Sequence, residues 1–329
     1  MKTQFKLTAA LLLLSAFSLQ PSALLGQGSL TPPGAPAPTM KTLAQIEPRT
    51  AITNTGAVTI SQPGSYYLTT NITVSSGDAI NITTDNVTLD LSGFTVSSTA
   101  PIASGAGIQV GGNSRQVHIL NGHIRGGVTN NSGTFAGGGF GYGVTYSSVT
   151  PQAVRVSAVS VSGCQYQGIY LGYGNATVVE SCTARTIGGY GIYAGNVADS
   201  VATECGSIAI YAKNAQNCRG YSLATYGLYA ETAQNCSGTT DGIDDGLMAQ
   251  TAVNCYGNCT GSGNGLSAGS ALNCYGRSNS GTGLYATTAQ NCTGYSTTSG
   301  IGLYANNAQN CNGYTAGTGF LDKLSAQSA

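Results

Sequence analysis

The chain has 329 residues, only 7% of them charged, and its 12 basic and 12 acidic side chains leave no formal net charge. Soluble domains carry about 25% charged residues. A chain this poor in Lys and Arg excludes nucleic acid as a partner, because phosphate binding needs clustered cations, and it excludes a polybasic membrane anchor.

The N-terminus reads as a secretory signal. Lys2 and Lys6 precede an apolar run from Leu7 to Leu19, and small residues follow around Ala23 to Gly26. The run is too short to span a bilayer, so residues 1–26 are assigned to a signal peptide and left out of the fold. No later segment is apolar enough to cross a membrane. The mature chain is therefore expected to be exported, whether secreted, periplasmic or at the cell surface, with no transmembrane segment. Residues 27–49 form a leader. Five of the nine prolines fall in LTPPGAPAPTMKTLAQIEPRT, residues 30–50, and proline lacks the ladder donor that sheet requires.

From residue 50 the pattern changes. PGSYYLTTNITVSSGDAINITTDNVTLDLSGFTV (63–96), GAGIQV (105–110), RQVHILNGHIRGG (115–127) and AVRVSAVSVSGC (153–164) alternate apolar and polar residues, which is the period of a strand. The C-terminal half then repeats one unit: Gly-Leu/Ile-Tyr-Ala, two variable residues, Ala-Gln-Asn-Cys, and a loop. Its cysteines are Cys218, Cys236, Cys255, Cys274, Cys292 and Cys311, at steps of 18, 19, 19, 18 and 19. Counting backwards places Ser200 and then Thr177 in the cysteine position. Cys164, Cys182 and Cys205 are assigned to another point of the unit, and Cys259 to a loop, where it is expected to be the most reactive thiol.

A period near 20 marks a solenoid. Within each unit Leu228 and Ala230 share one face and Tyr229 takes the other. Gly, Asn, Ser and Thr recur too often to leave room for helices. The expected fold is therefore all-β, a right-handed parallel β-helix over residues 50–320 with rungs of about 18–23 residues. Eleven or twelve rungs are expected, with residues 46–70 capping one end and the tail, 321–329, the other. A left-handed coil would repeat an apolar residue every six positions. Gln290 and Ser296 stand six and twelve after Leu284 and break that pattern. In each rung Leu or Ile, Ala and Cys fill stacked core columns. Gly allows positive φ or close approach. Asn suits a left-handed bend and can form an amide ladder. Tyr points outward.

These segments, with GIYLGYG and GIYAGN after them, resemble right-handed parallel β-helix repeat proteins of the pectin-lyase-like superfamily, and the leader is similar to those of exported bacterial members. The resemblance implies a groove on the outer face of the first sheet. Lyases of that class bind Ca²⁺ with acids and abstract a proton with Arg or Lys, and its hydrolases pair carboxylates. The corresponding outward positions here are Asn81, Gln109, Thr145, Tyr170, Tyr193, Tyr211, Tyr229, Met248, Ser267, Tyr285 and Tyr304. None is acidic or basic, so catalytic machinery is missing from the expected face. Two positions further on, Lys213 and Glu231 stand on adjacent rungs and are expected to form a surface ion pair.

Two function classes follow. In the first, the chain is a non-catalytic structural or binding protein. Tyr170, Tyr193, Tyr211, Tyr229, Tyr285 and Tyr304 then form an outward column that contacts polysaccharide or a cell-surface glycan through ring faces and hydroxyls; the same column can instead serve only to brace the sheet. In the second, it is a polysaccharide lyase or hydrolase with acids supplied by loops. Asp241, Asp244 and Asp245 in TTDGIDDGL are the candidates, and oxygen ligation of Ca²⁺ is an alternative use for them. Their spacing matches no EF-hand loop. No cofactor is implied. His118 and His123 lack an acid or Cys at ligand spacing, and His118 reads as surface. The cysteine column reads as mostly buried thiols, with cross-rung disulfides as an alternative.

Overall fold

Alternation of buried and exposed side chains builds each turn. In Leu228–Gln234 the side chains of Leu228, Ala230 and Ala233 are buried, while Glu231 and Thr232 are both exposed. Two exposed residues in succession break the period of two, so the chain turns a corner there and passes from a first sheet to a second. Asn235 makes the next bend, Cys236 returns to the core, and Ser237–Thr240 adds a third sheet. The computed structural model describes residues 47–111, 114–147, 152–174 and 176–316 and the backbone strand Lys323–Leu324. The assigned signal peptide, nearly all of the leader and most of the tail lie outside the described residues.

The strands stack into a right-handed parallel β-helix of about 14 turns. Identical positions pair from turn to turn: Leu228 with Leu247, Leu266, Leu284 and Leu303, and Ala230 with Ala249, Ala268, Ala286 and Ala305. The count exceeds the expected eleven or twelve. Residues 46–70, expected as a cap, supply the strands Thr50–Ile52, Val58–Ile60 and Gly64–Leu68, which pair into the coil itself. Two N-terminal turns are enlarged, pairing Ile80 with Ile108 and Ile108 with Val144. The second accommodates an antiparallel hairpin, Gly127–Asn131 with Thr134–Gly138. No helix among the described residues is long and apolar enough to cross a membrane.

Glycine sets the thickness of the C-terminal turns by close approach. Gly227, Gly246, Gly265, Gly283 and Gly302 form a column at the entry to the first sheet, and Gly220, Gly238, Gly257, Gly276 and Gly294 form one in the third; none has positive φ. A Cβ on Gly257 would stand 2.2 Å from the Gly265 carbonyl oxygen, and one on Gly276 2.1 Å from that of Gly283. The two backbones therefore touch, and the core shrinks to Leu, Ala and Cys columns. Positive φ falls instead to asparagine: Asn217, Asn235, Asn254 and Asn273 all have φ 53°. Their side chains form the expected ladder. Asn254 Nδ2 donates to Asn235 Oδ1 at 3.1 Å, and Asn273 Nδ2 to Asn254 Oδ1 at 3.1 Å.

The cysteines occupy two inward columns. Cys218, Cys236, Cys255, Cys274, Cys292 and Cys311 stack as expected, with the Cys274 and Cys292 amides each 3.4 Å from the next sulfur. Ser200 stands in this column below Cys218, and its hydroxyl accepts the Cys182 amide at 3.1 Å. The position assigned to Thr177 thus belongs to Cys182. The loop before Thr177 is longer than later loops, and counting back from the motif placed the column too early. A second column runs Cys164, Ile187, Cys205, Ser222, Thr240, Cys259, Ser278, Ser296. Cys259 therefore closes a strand and is buried, with burial raising its thiol pKa. It is not the reactive loop thiol that its spacing suggested. All ten cysteines are free thiols, and Cys311 alone among them is partly exposed. Alkylation of the native protein by N-ethylmaleimide is expected to modify Cys311 quickly and the other nine only on unfolding. Rapid modification of Cys259 in the native state would contradict this packing.

Candidate functional site

The outward column of the first sheet is in register. Tyr170 pairs with Tyr193, then Tyr211 and Tyr229; Met248 and Ser267 follow, then Tyr285 and Tyr304. The rings do not form one flat strip. Tyr193 meets Tyr170 and Tyr211 edge to face, at 61° and 80°. Tyr211 and Tyr229 stack at 4.9 Å and 12°, and Tyr285 and Tyr304 at 5.1 Å and 4°. Most ring faces are therefore spent on neighbouring rings, as cross-strand aromatic pairs usually are. Burial, followed by the adjacent tyrosines, raises the Tyr193 hydroxyl to about 12 and also raises Tyr170 and Tyr211. These phenols remain protonated donors at any physiological pH.

The interruption in the column makes the site. Where the rings give way to Met248 and Ser267, a trough of about 510 Å³ opens, with Tyr229 and Tyr285 both lining it. Each aromatic stack ends at this trough. Three rung steps, about 14 Å of backbone, separate the two end rings. Ala249 and Ala268 lie beneath, and Gln250, Asn264 and Thr287 add polar groups.

Two carboxylates enter from different elements. Glu231, at the corner of its turn, accepts a hydrogen bond from the Tyr173 hydroxyl at 2.7 Å. Asp245 comes from the DGIDDG loop, and its Oδ1 accepts the Asn264 amide at 2.8 Å. Burial raises the Asp245 pKa, with hydrogen bonds from Ser267 and Asn264 opposing it. Asn264 is fixed in turn, its Nδ2 donating to Ser267 Oγ at 3.1 Å and its Oδ1 accepting the Thr282 amide at 3.1 Å.

The expected Lys213–Glu231 ion pair is replaced by a three-residue arrangement. Tyr173 lies between them, taking Lys213 Nζ over its ring at 5.1 Å and giving its hydroxyl to Glu231. Tyr173 belongs to GIYLGYG, but it projects from a loop outside the repeat, so no periodicity pointed to it. Tyr146, stacked on Tyr170 at 5.7 Å and 9°, and Tyr190 extend the aromatic cluster in the same unheralded way.

The three aspartates separate in role. Asp241 accepts the Tyr221 hydroxyl and the Thr260 hydroxyl, the latter at 2.7 Å. Asp245 faces the trough, and Asp244 does not line it. Among the described residues no group of three His, Cys, Asp or Glu side chains could hold a metal ion. His118 is half-buried rather than plain surface. Its Nε2 is 2.8 Å from Ser157 Oγ, and burial followed by Arg155 lowers its pKa.

The coil, its parallel register and its inward columns define a parallel β-helix protein. No protein-family model matches the chain, and no curated protein matches it in sequence. Among solved structures it is similar to the crystal structure of the Dettilon tailspike protein (gp208), with a TM-score of 0.35 and 11% identity. The match covers 82% of this chain and 61% of that one, so this chain spans less than two thirds of that protein's length.

Proposed function

We propose that the chain is an exported, non-catalytic β-helix protein that contacts polysaccharide or a cell-surface glycan on the outer face of its first sheet. The observation that carries this reading is the ending of two tyrosine stacks at one trough, with Tyr229 and Tyr285 as its walls. End rings have a face that their own stack does not cover, and such faces pack on the apolar faces of sugar rings. Polar groups between them, from Gln250 and Thr287, suit hydroxyls. Export rests on the signal-like residues 1–26. A rival reading, a polysaccharide lyase or hydrolase, draws support from Glu231 and Asp245 lining the same trough.

Affinity electrophoresis on a polysaccharide panel, combined with an assay for reducing-end or unsaturated products, tests both readings. Retardation without product is expected, and Tyr229→Ala and Tyr285→Ala are each expected to weaken it about tenfold, equivalent to about 1.4 kcal/mol. Product release that Asp245→Asn abolishes would replace this reading with the enzymatic one.

A further inference from the structure

The charge lining the trough is of one sign. Two carboxylates face it, Glu231 from one turn and Asp245 from a loop 14 residues on in the chain. Among the described residues no Lys, Arg or His lines it. Lys213, on the turn before Glu231, is drawn over the ring of Tyr173. Carboxylates only accept hydrogen bonds, so they reward ligands that bring O–H or N–H donors. An acid on the ligand would meet like charge. The other polar side chains that line it, Gln250, Asn264, Ser267 and Thr287, are neutral. Asn264 already accepts the Thr282 amide at its oxygen and donates to Ser267 from its nitrogen.

We infer that the trough is a subsite for donor-rich neutral or amino sugars and that it rejects uronate and sulfated polymers. This inference rests on the glycan-binding reading and names the substrate class of that site. The selection would come from Glu231 and Asp245, whereas the affinity would come from Tyr229 and Tyr285. The two contributions are therefore separable by mutation. Glu231 is exposed at a corner, so replacing it leaves the core columns intact.

The test is affinity electrophoresis of the full mature chain in gels containing a neutral β-glucan, chitosan or polygalacturonate. Wild type is expected to be retarded by the glucan, chitosan or both at least about tenfold more strongly than by polygalacturonate. Glu231→Lys should lower chitosan retardation severalfold and raise polygalacturonate retardation, while circular dichroism stays that of wild type. Polygalacturonate binding equal to or stronger than that of the other polymers, and lost in Tyr229→Ala, would overturn the charge selection and leave the glycan reading standing. Retardation by none of the three would overturn the glycan reading and this inference with it. If wild type prefers the glucan or chitosan but Glu231→Lys leaves that preference unchanged, the carboxylates are not its source and the inference fails.

Discussion

Replacing Gly265 with alanine is expected to destabilise the coil by about 3 kcal/mol or more, a large effect for one methyl group. The added Cβ would stand 2.3 Å from the Arg277 amide nitrogen and 2.4 Å from its carbonyl oxygen. Both are backbone atoms, so no side chain can rotate away. Arg277 cannot retreat alone either, because it pairs with Asn258 on one side and Tyr295 on the other. The same column carries a methyl only one turn before Gly227, at Ala209, the residue before Ile210, which pairs with Leu228. Gly56 supplies the control. A Cβ there comes no closer than 3.9 Å to any atom, so Gly56→Ala should change stability by less than about 0.5 kcal/mol. Urea unfolding of the two variants decides the matter, and equal midpoints would refute the close-approach account.

The fold was legible because a solenoid makes each residue answer to its own copy one turn away. Leu228, Ala230, Asn235 and Cys236 recur since each must match what lies above and below, and that constraint is written directly into the period. Legibility failed where loops change length. The longer segment before Thr177 displaced the cysteine column by five residues, so Cys182 was assigned elsewhere. Cys259 escapes the repeat for a related reason: its column mixes Cys with Ser, Thr and Ile, which share little in sequence beyond fitting a small buried site. The trough was only half visible. The lapse in the tyrosines at Met248 and Ser267 can be read from the repeat. That Glu231 and Asp245 converge on that lapse, and that Tyr173 reaches Glu231 from 58 residues away, depends on the coiling and on non-repeating loops.

The asparagine column carries the second large expectation. Asn254→Val should cost about 3 kcal/mol, whereas Asn254→Gly should cost about 1 kcal/mol or less. The difference separates two contributions of the same residue. At φ 53° a side chain with a Cβ crowds the following carbonyl, at about 1–2 kcal/mol, and branching at Cβ makes the crowding worse. Asparagine tolerates this conformation far better than valine, and glycine does not feel the crowding. Both substitutions remove the amide links to Asn235 and Asn273, which lie at the surface and compete with water. If valine and glycine destabilise equally, the amide ladder dominates and backbone strain is minor. If valine is much the worse, the bend selects the residue and the ladder follows from stacking the same bend in every turn. The second outcome is expected, because Ala158, Ser181 and Asp199 hold φ 52°, 53° and 49° at this position in earlier turns, so the conformation is kept even where the amide is not.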